Sequence, residues 1–109
     1  MRNRYKLPLH IKNYIKKELY DYKKNKNKLK ELYSNNTSSR TILLITQRIQ
    51  NIEKVFNNLS KEEQKLIEKI FFEKCNQTYM EVNYYVSKDM YYNTMNKTIY
   101  LVAIEFELI

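Results

Sequence analysis

The apolar and polar positions of this chain divide it into helical stretches. Ile11, Ile15, Leu19, Tyr22, Leu29 and Tyr33 recur at steps of three, four and seven, the spacing of one helix face. They predict an amphipathic helix over 8–33. Pro8 sits in its first turn, where the missing N–H costs nothing. Lys12, Lys16, Lys23 and Lys30 flank one edge of the stripe, and Lys17, Lys24 and Lys28 lie opposite it, so the outer surface is basic. Residues 1–6 read as a short basic arm that is mobile at the terminus.

The polar run SNNTSSR at 34–40 breaks the pattern and supplies N-cap candidates. Ile42, Ile45, Ile49, Ile52, Phe56 and Leu59 then alternate by three and four over two and a half heptads, an a/d seam. Sustained coiled coils want more than three heptads. Antiparallel packing of this helix onto the first is therefore favoured over the alternative, a homodimer interface.

Ser60, Lys61, Glu62 and Glu63 spell a capping box, in which the Ser60 hydroxyl takes the Glu63 amide and the Glu63 carboxylate takes the Ser60 amide. The helix it opens is expected to run to about Cys75, burying Leu66, Ile67, Ile70 and Phe71. Asn76 and Gln77 close it and Thr78 caps the next, a short helix at 79–85 with Met80 and Tyr84 as core contacts. Val86 lies in a tight turn, Ser87 is an N-cap, and a longer helix follows. Its inward face is Tyr91, Thr94, Met95, Thr98, Ile99 and Val102; its outward face begins with Lys88, Asp89, Tyr92, Asn93, Asn96 and Lys97.

Composition narrows the fold class. The 109 residues contain no Gly, no Trp and one Pro, so tight hairpin turns lack their usual residues. The expected architecture is all-α: about five helices ending in a helix-turn-helix. Residues 1–59 form its support or dimerisation part, 60–109 the helix-turn-helix unit, and both belong to one compact domain. No apolar run approaches the length of a membrane span. The first ten residues lack the apolar region of a secretory signal. A single cysteine and a single histidine leave neither a disulfide framework nor a Cys/His zinc site, and the lone thiol suits a reducing cytoplasm. Cys75 reads as a small buried hydrophobe and His10 as a surface residue. No phosphate-binding glycine loop, metal cluster or nucleophile–base motif is present, so neither an enzyme nor a cofactor is expected.

The net charge of +8 says less than where it sits, because Lys, Asn, Ile and Tyr are also favoured by AT-rich codons. Residues 1–34 carry eleven Lys/Arg against Glu18, Asp21 and Glu31, whereas residues 35–109 carry nine of each sign. The whole excess lies in the first third, where it either faces a polyanion or forms a solvated lysine-rich surface. On the first reading Lys16, Lys17, Lys23 and Lys24 hold phosphates. A second helix entering the major groove would then present Asn93 and Asn96 to adenine, Lys88 and Lys97 to phosphate or guanine, and Tyr92 to sugar or a thymine methyl. The alternative is a helical hairpin with a solvated outer face.

The C-terminal half, from LSKEEQKLIE through FFEK at 71–74, Thr78-Tyr79 and VSKDMYY at 86–92 to AIEFELI, resembles the ArpU/RinA-type phage transcriptional regulators. The leading IKNYIKKELYDYKKNKNKLKEL is similar to that family's first helix more loosely. The resemblance implies a helix-turn-helix like region 4 of sigma factors, and regulation of late or lytic genes through double-stranded DNA, RNA polymerase or both. The chain departs from the family in three ways. Glu81 stands where the inner side of the first helix usually has a small residue, Tyr85 stands where the turn often has Gly or Asn, and the recognition helix has Lys88 and Lys97 in place of arginines. A protein-interaction module with a degenerate helix-turn-helix is the main alternative, and a DNA-packaging role is a third.

Overall fold

The computed structural model describes residues 5–35 and 39–109. Among them are six α-helices and no strand: α1 (Leu9–Tyr20), α2 (Tyr22–Ser34), α3 (Ser39–Asn58), α4 (Lys61–Ile67), α5 (Gln77–Tyr84) and α6 (Lys88–Glu105). A π-helical turn, Glu68–Phe72, continues α4. Most of the basic arm and the middle of the 34–40 run lie outside the described residues.

The helix predicted over 8–33 is two helices, broken at Asp21 (φ −91°, ψ 4°). The break is slight in hydrogen bonding: Asp21 N–H still reaches the Lys17 carbonyl, and its own carbonyl still accepts from Asn25 N–H. It is needed for packing. α1 lies on α6 and the π turn, whereas α2 lies along α3, and one straight rod cannot follow both. Beyond the break the stripe shifts. Leu29 and Leu32 are half-buried while Tyr33, expected inside, points out.

The seam on α3 is spent within the chain. Ile49, Ile52 and Leu59 are buried and Phe56 half-buried, with Val55 joining them. α3 meets α2 on one side and α6 on the other. Toward its N-terminus the seam thins: Ile42 and Ile45 are half-buried, and Leu43 and Leu44 are exposed. One continuous apolar core joins α1, α3, α4, the π turn, α5 and α6, so it runs across the junction at 59–60. Ile15, Leu19, Phe71, Val102 and Ala103 are wholly inaccessible, and Tyr20 packs edge-on to Phe71 at 5.1 Å. Ion pairs tie the rims: Lys26–Glu53 (α2–α3), Arg48–Glu18 (α3–α1), Lys54–Glu105 (α3–α6) and Lys97–Glu63 (α6–α4). Exposed pairs of this kind add up to about 1 kcal/mol each, so burial dominates stability.

The capping box at Ser60 forms in full, with Glu63 N–H to Ser60 Oγ at 3.1 Å and Ser60 N–H to Glu63 Oε1 at 3.0 Å. The expected end of this helix is wrong in detail. Regular α geometry stops at Ile67, and the left-handed Lys74 (φ 57°), not Asn76 and Gln77, closes the stretch, sending Cys75 N–H back to the Lys69 carbonyl. Asn76 starts the next helix: its Oδ1 accepts from Tyr79 N–H at 2.8 Å, so the cap is Asn76 rather than Thr78. Without glycine the chain ends helices on ordinary residues in the left-handed region, at Lys74, Tyr85 and Glu107, each at a steric cost of about 1 kcal/mol.

Candidate nucleic-acid interface

α5 and α6 are joined by Tyr85, Val86 and Ser87. Tyr85 is left-handed (φ 56°, ψ 31°), and its N–H and that of Val86 both turn back to the Met80 carbonyl. Both bonds reach further back than those of a Schellman motif, so α5 ends in a widened left-handed turn, and such helix ends are normally completed by an apolar contact across the turn. Met80 and Val86 provide that contact and are buried. A tyrosine thus takes the place that glycine or asparagine usually fills, with its ring 92% exposed. Glu81, expected on the inner side of α5, is outside and accepts from Gln77 Nε2 at 2.6 Å. The residue on the inner side of α5 is Met80, a large side chain that is buried. Tyr84 is also outside rather than in the core, beneath the Lys69 ammonium at 5.0 Å.

Ser87 caps α6, its Oγ accepting from Met90 N–H at 3.1 Å. The inward face is the one predicted: Tyr91, Thr94, Met95, Thr98, Ile99 and Val102 are all buried, with Ala103 added. Thr98 satisfies its buried hydroxyl on the Thr94 carbonyl at 2.9 Å.

The outward residues divide. Lys88, Asp89, Tyr92 and Asn93 are exposed on the first turns, together with Met90, and Asn96 is half-buried. Lys97 does not belong with them. Its ammonium lies 2.8 Å from Glu63 Oε2, and this hydrogen bond raises its pKa while lowering that of Glu63. The link spans 34 residues of sequence, and no local pattern announces it.

α1 packs on α6, and Tyr20, beside the elbow between α1 and α2, acts electrostatically on Tyr91 in the first turn of α6. Burial, and secondarily the nearby Tyr20 phenol, push the Tyr91 hydroxyl up to about 12, and that hydroxyl donates to the Cys75 carbonyl at 3.3 Å. Lys16 stands one turn before Tyr20 on the same side of α1, and Lys23 and Lys24 follow immediately on α2. Lys17 is about 100° further round the helix. Lys17, Lys23 and Lys24 are exposed and Lys16 half-buried; among the described residues none of the four forms an ion pair. The Tyr20–Tyr91 proximity was not foreseeable from spacing, because it joins helices about 70 residues apart in sequence.

Charge and apolar exposure complicate this surface. Residues 60–109 carry six lysines against eight acidic residues, so α5 and α6 have no cationic excess of their own. The outer side of α5 exposes Tyr79 and Val82, and Tyr85 is exposed just beyond it. No group of His, Cys, Asp and Glu able to hold a metal occurs among the described residues, and none of their helices is long and apolar enough to cross a membrane. No family model, curated protein or solved structure matches the chain.

Proposed function

We propose that this chain is a phage or prophage transcriptional regulator that binds double-stranded DNA through α5 and α6 as a helix-turn-helix, acting on late or lytic genes. The observation that carries the reading is the division of α6. One face is fully committed to the core, and the opposite face of its first turns offers Lys88, Tyr92 and Asn93, as a helix entering the major groove N-terminus first requires. The α1–α2 elbow supplies the cations that α6 lacks, through Lys16, Lys17, Lys23 and Lys24. The resemblance to ArpU/RinA-type regulators points the same way and supplies the phage context.

A second reading has its own support. The net negative charge of residues 60–109, with the exposed Tyr79 and Val82 on α5 and Tyr85 just after it, suits a protein partner such as RNA polymerase better than a polyanion. Fluorescence anisotropy separates the two. The chain is titrated against the DNA upstream of its own gene and against a scrambled duplex, at two salt concentrations. A DNA regulator prefers the native region and weakens steeply with salt. Equal, weak binding to both duplexes refutes the reading and leaves the protein-partner alternative.

A further inference from the structure

α2, α3 and the π turn enclose a second feature, independent of the DNA reading. It is a cleft of about 430 Å³ lined by Tyr22, Ile52, Glu53, Phe56, Asn57, Glu68 and Phe72. Tyr22 stacks on Phe72 at 4.9 Å, and Phe72 meets Phe56 at 6.0 Å and 44°, so three rings form a continuous wall. Carboxylates come from both sides: Glu53 from α3 and Glu68 from the π turn. Tyr22 Oη donates to Glu53 Oε2 at 2.6 Å, which fixes this carboxylate and lowers its pKa.

The chemistry of this lining selects cations. Aromatic faces attract ammonium and guanidinium groups through the ring quadrupole, and a carboxylate beside them adds direct attraction. The chain itself shows the preference at the rim, where the Lys26 ammonium lies 3.0 Å from Glu53 and 5.6 Å from the Tyr22 ring centre. Lys26 does not line the cleft, and no other lysine or arginine does. Glu68 forms no ion pair among the described residues. In a chain of net charge +8, this concave site brings two carboxylates and three rings together with no cation in its lining. π turns recur at functional sites, and this one contributes both Glu68 and Phe72.

We propose that the cleft binds an organic cation of side-chain size, a guanidinium or alkylammonium group. The source is either a free small cation or an arginine or lysine side chain of a partner. The test is NMR titration of the labelled full chain with methylguanidinium, with its neutral isostere N-methylurea, and with a short capped arginine peptide. Saturable shifts centred on Tyr22, Phe56 and Phe72 are expected with methylguanidinium, and binding of N-methylurea at least about tenfold weaker. Glu68→Gln, an exposed position, weakens methylguanidinium several-fold without changing the backbone spectrum, and Phe72→Leu does so if it folds. An arginine peptide that binds much more tightly than methylguanidinium identifies a partner side chain as the source; equal affinity identifies a free cation. Shifts that never saturate, equal binding of N-methylurea, or a Glu68→Gln variant that binds as wild type would each overturn the proposal.

Discussion

Glu63 holds Lys97 while it caps α4. One carboxylate oxygen accepts from the Ser60 amide at 3.0 Å and the other meets the Lys97 ammonium at 2.8 Å. One side chain therefore caps the N-terminus of α4 and pins the middle of α6. Lys97, which the helix-turn-helix reading would place on phosphate or guanine, is thus paired with a carboxylate of its own chain. Lys97→Met is expected to lower stability by up to about 1 kcal/mol and to leave unchanged the salt dependence of the proposed DNA binding. Urea melts and anisotropy titrations on one preparation measure both. A shallower salt slope would return Lys97 to the interface.

The same carboxylate gives a pH dependence. Hydrogen bonds from Lys97 and Tyr22 respectively hold Glu63 and Glu53 below the ordinary value of 4.5. A carboxyl whose folded pKa is depressed contributes stability above its unfolded pKa, and that stability is lost as pH falls through the folded pKa. Thermal midpoints should accordingly fall below about pH 4.5, and the decline should be shallower in a Glu53→Gln, Glu63→Gln double variant. Parallel acid profiles for the two proteins would mean that other carboxylates control the transition.

Tyr85 offers a test of the helix end. Its left-handed backbone costs about 1 kcal/mol in a residue with a Cβ, and its exposed ring gives up little packing on removal. Tyr85→Gly should stabilise the chain, by up to about 1 kcal/mol once the greater freedom of an unfolded glycine is set against it. Tyr85→Val should destabilise it. If chemical denaturation gives the opposite order, the ring itself must stabilise the turn.

Much of this fold is legible in the sequence, and the illegible part has a physical pattern. The inward face of α6 and the Ser60 capping box follow from three- and four-residue spacing and were readable residue by residue. Asp21 was not, because the helical hydrogen bonds run almost unbroken through it and only the divergence of α1 and α2 onto different partners demands the bend. The π turn was hidden for a similar reason, since Ile67, Ile70 and Phe71 suit either helix. At the candidate interface the first turns of α6 were predictable, as local facts. The Lys97–Glu63 pair and the approach of Tyr20 to Tyr91 were not, being set by how distant helices pack.

Phe71 measures how far the core depends on the π turn. It is fully inaccessible, packed edge-on beneath Tyr20, so Phe71→Ala should cost about 4 kcal/mol. That is a large share of the roughly 5–15 kcal/mol typical of a domain, and the variant should be close to unfolded at physiological temperature. Calorimetry showing a decrease below about 1.5 kcal/mol would mean that the π turn relaxes into the space.

The elbow lysines and the start of α6 should fail in different ways when changed. Lys16, Lys17, Lys23 and Lys24 act on phosphates in the proposed complex, where charge matters and base identity does not. Changing all four to Gln should weaken binding to native and scrambled duplexes alike and flatten the slope of log affinity against log salt by about 0.9 for each phosphate no longer neutralised. Asn93→Ala should instead erase preference between duplexes by about 1–3 kcal/mol while the slope persists. The half-buried Asn96 is the weaker candidate reader, and Asn96→Ala should change preference less than Asn93→Ala. Anisotropy across a salt series on these three variants separates the two roles, because neutralising a phosphate moves the slope and reading a base moves the difference between sequences. If the quadruple variant keeps the wild-type slope, the basic excess of residues 1–34 faces solvent rather than DNA, and the exposed outer side of α5 becomes the surface on which to seek a partner.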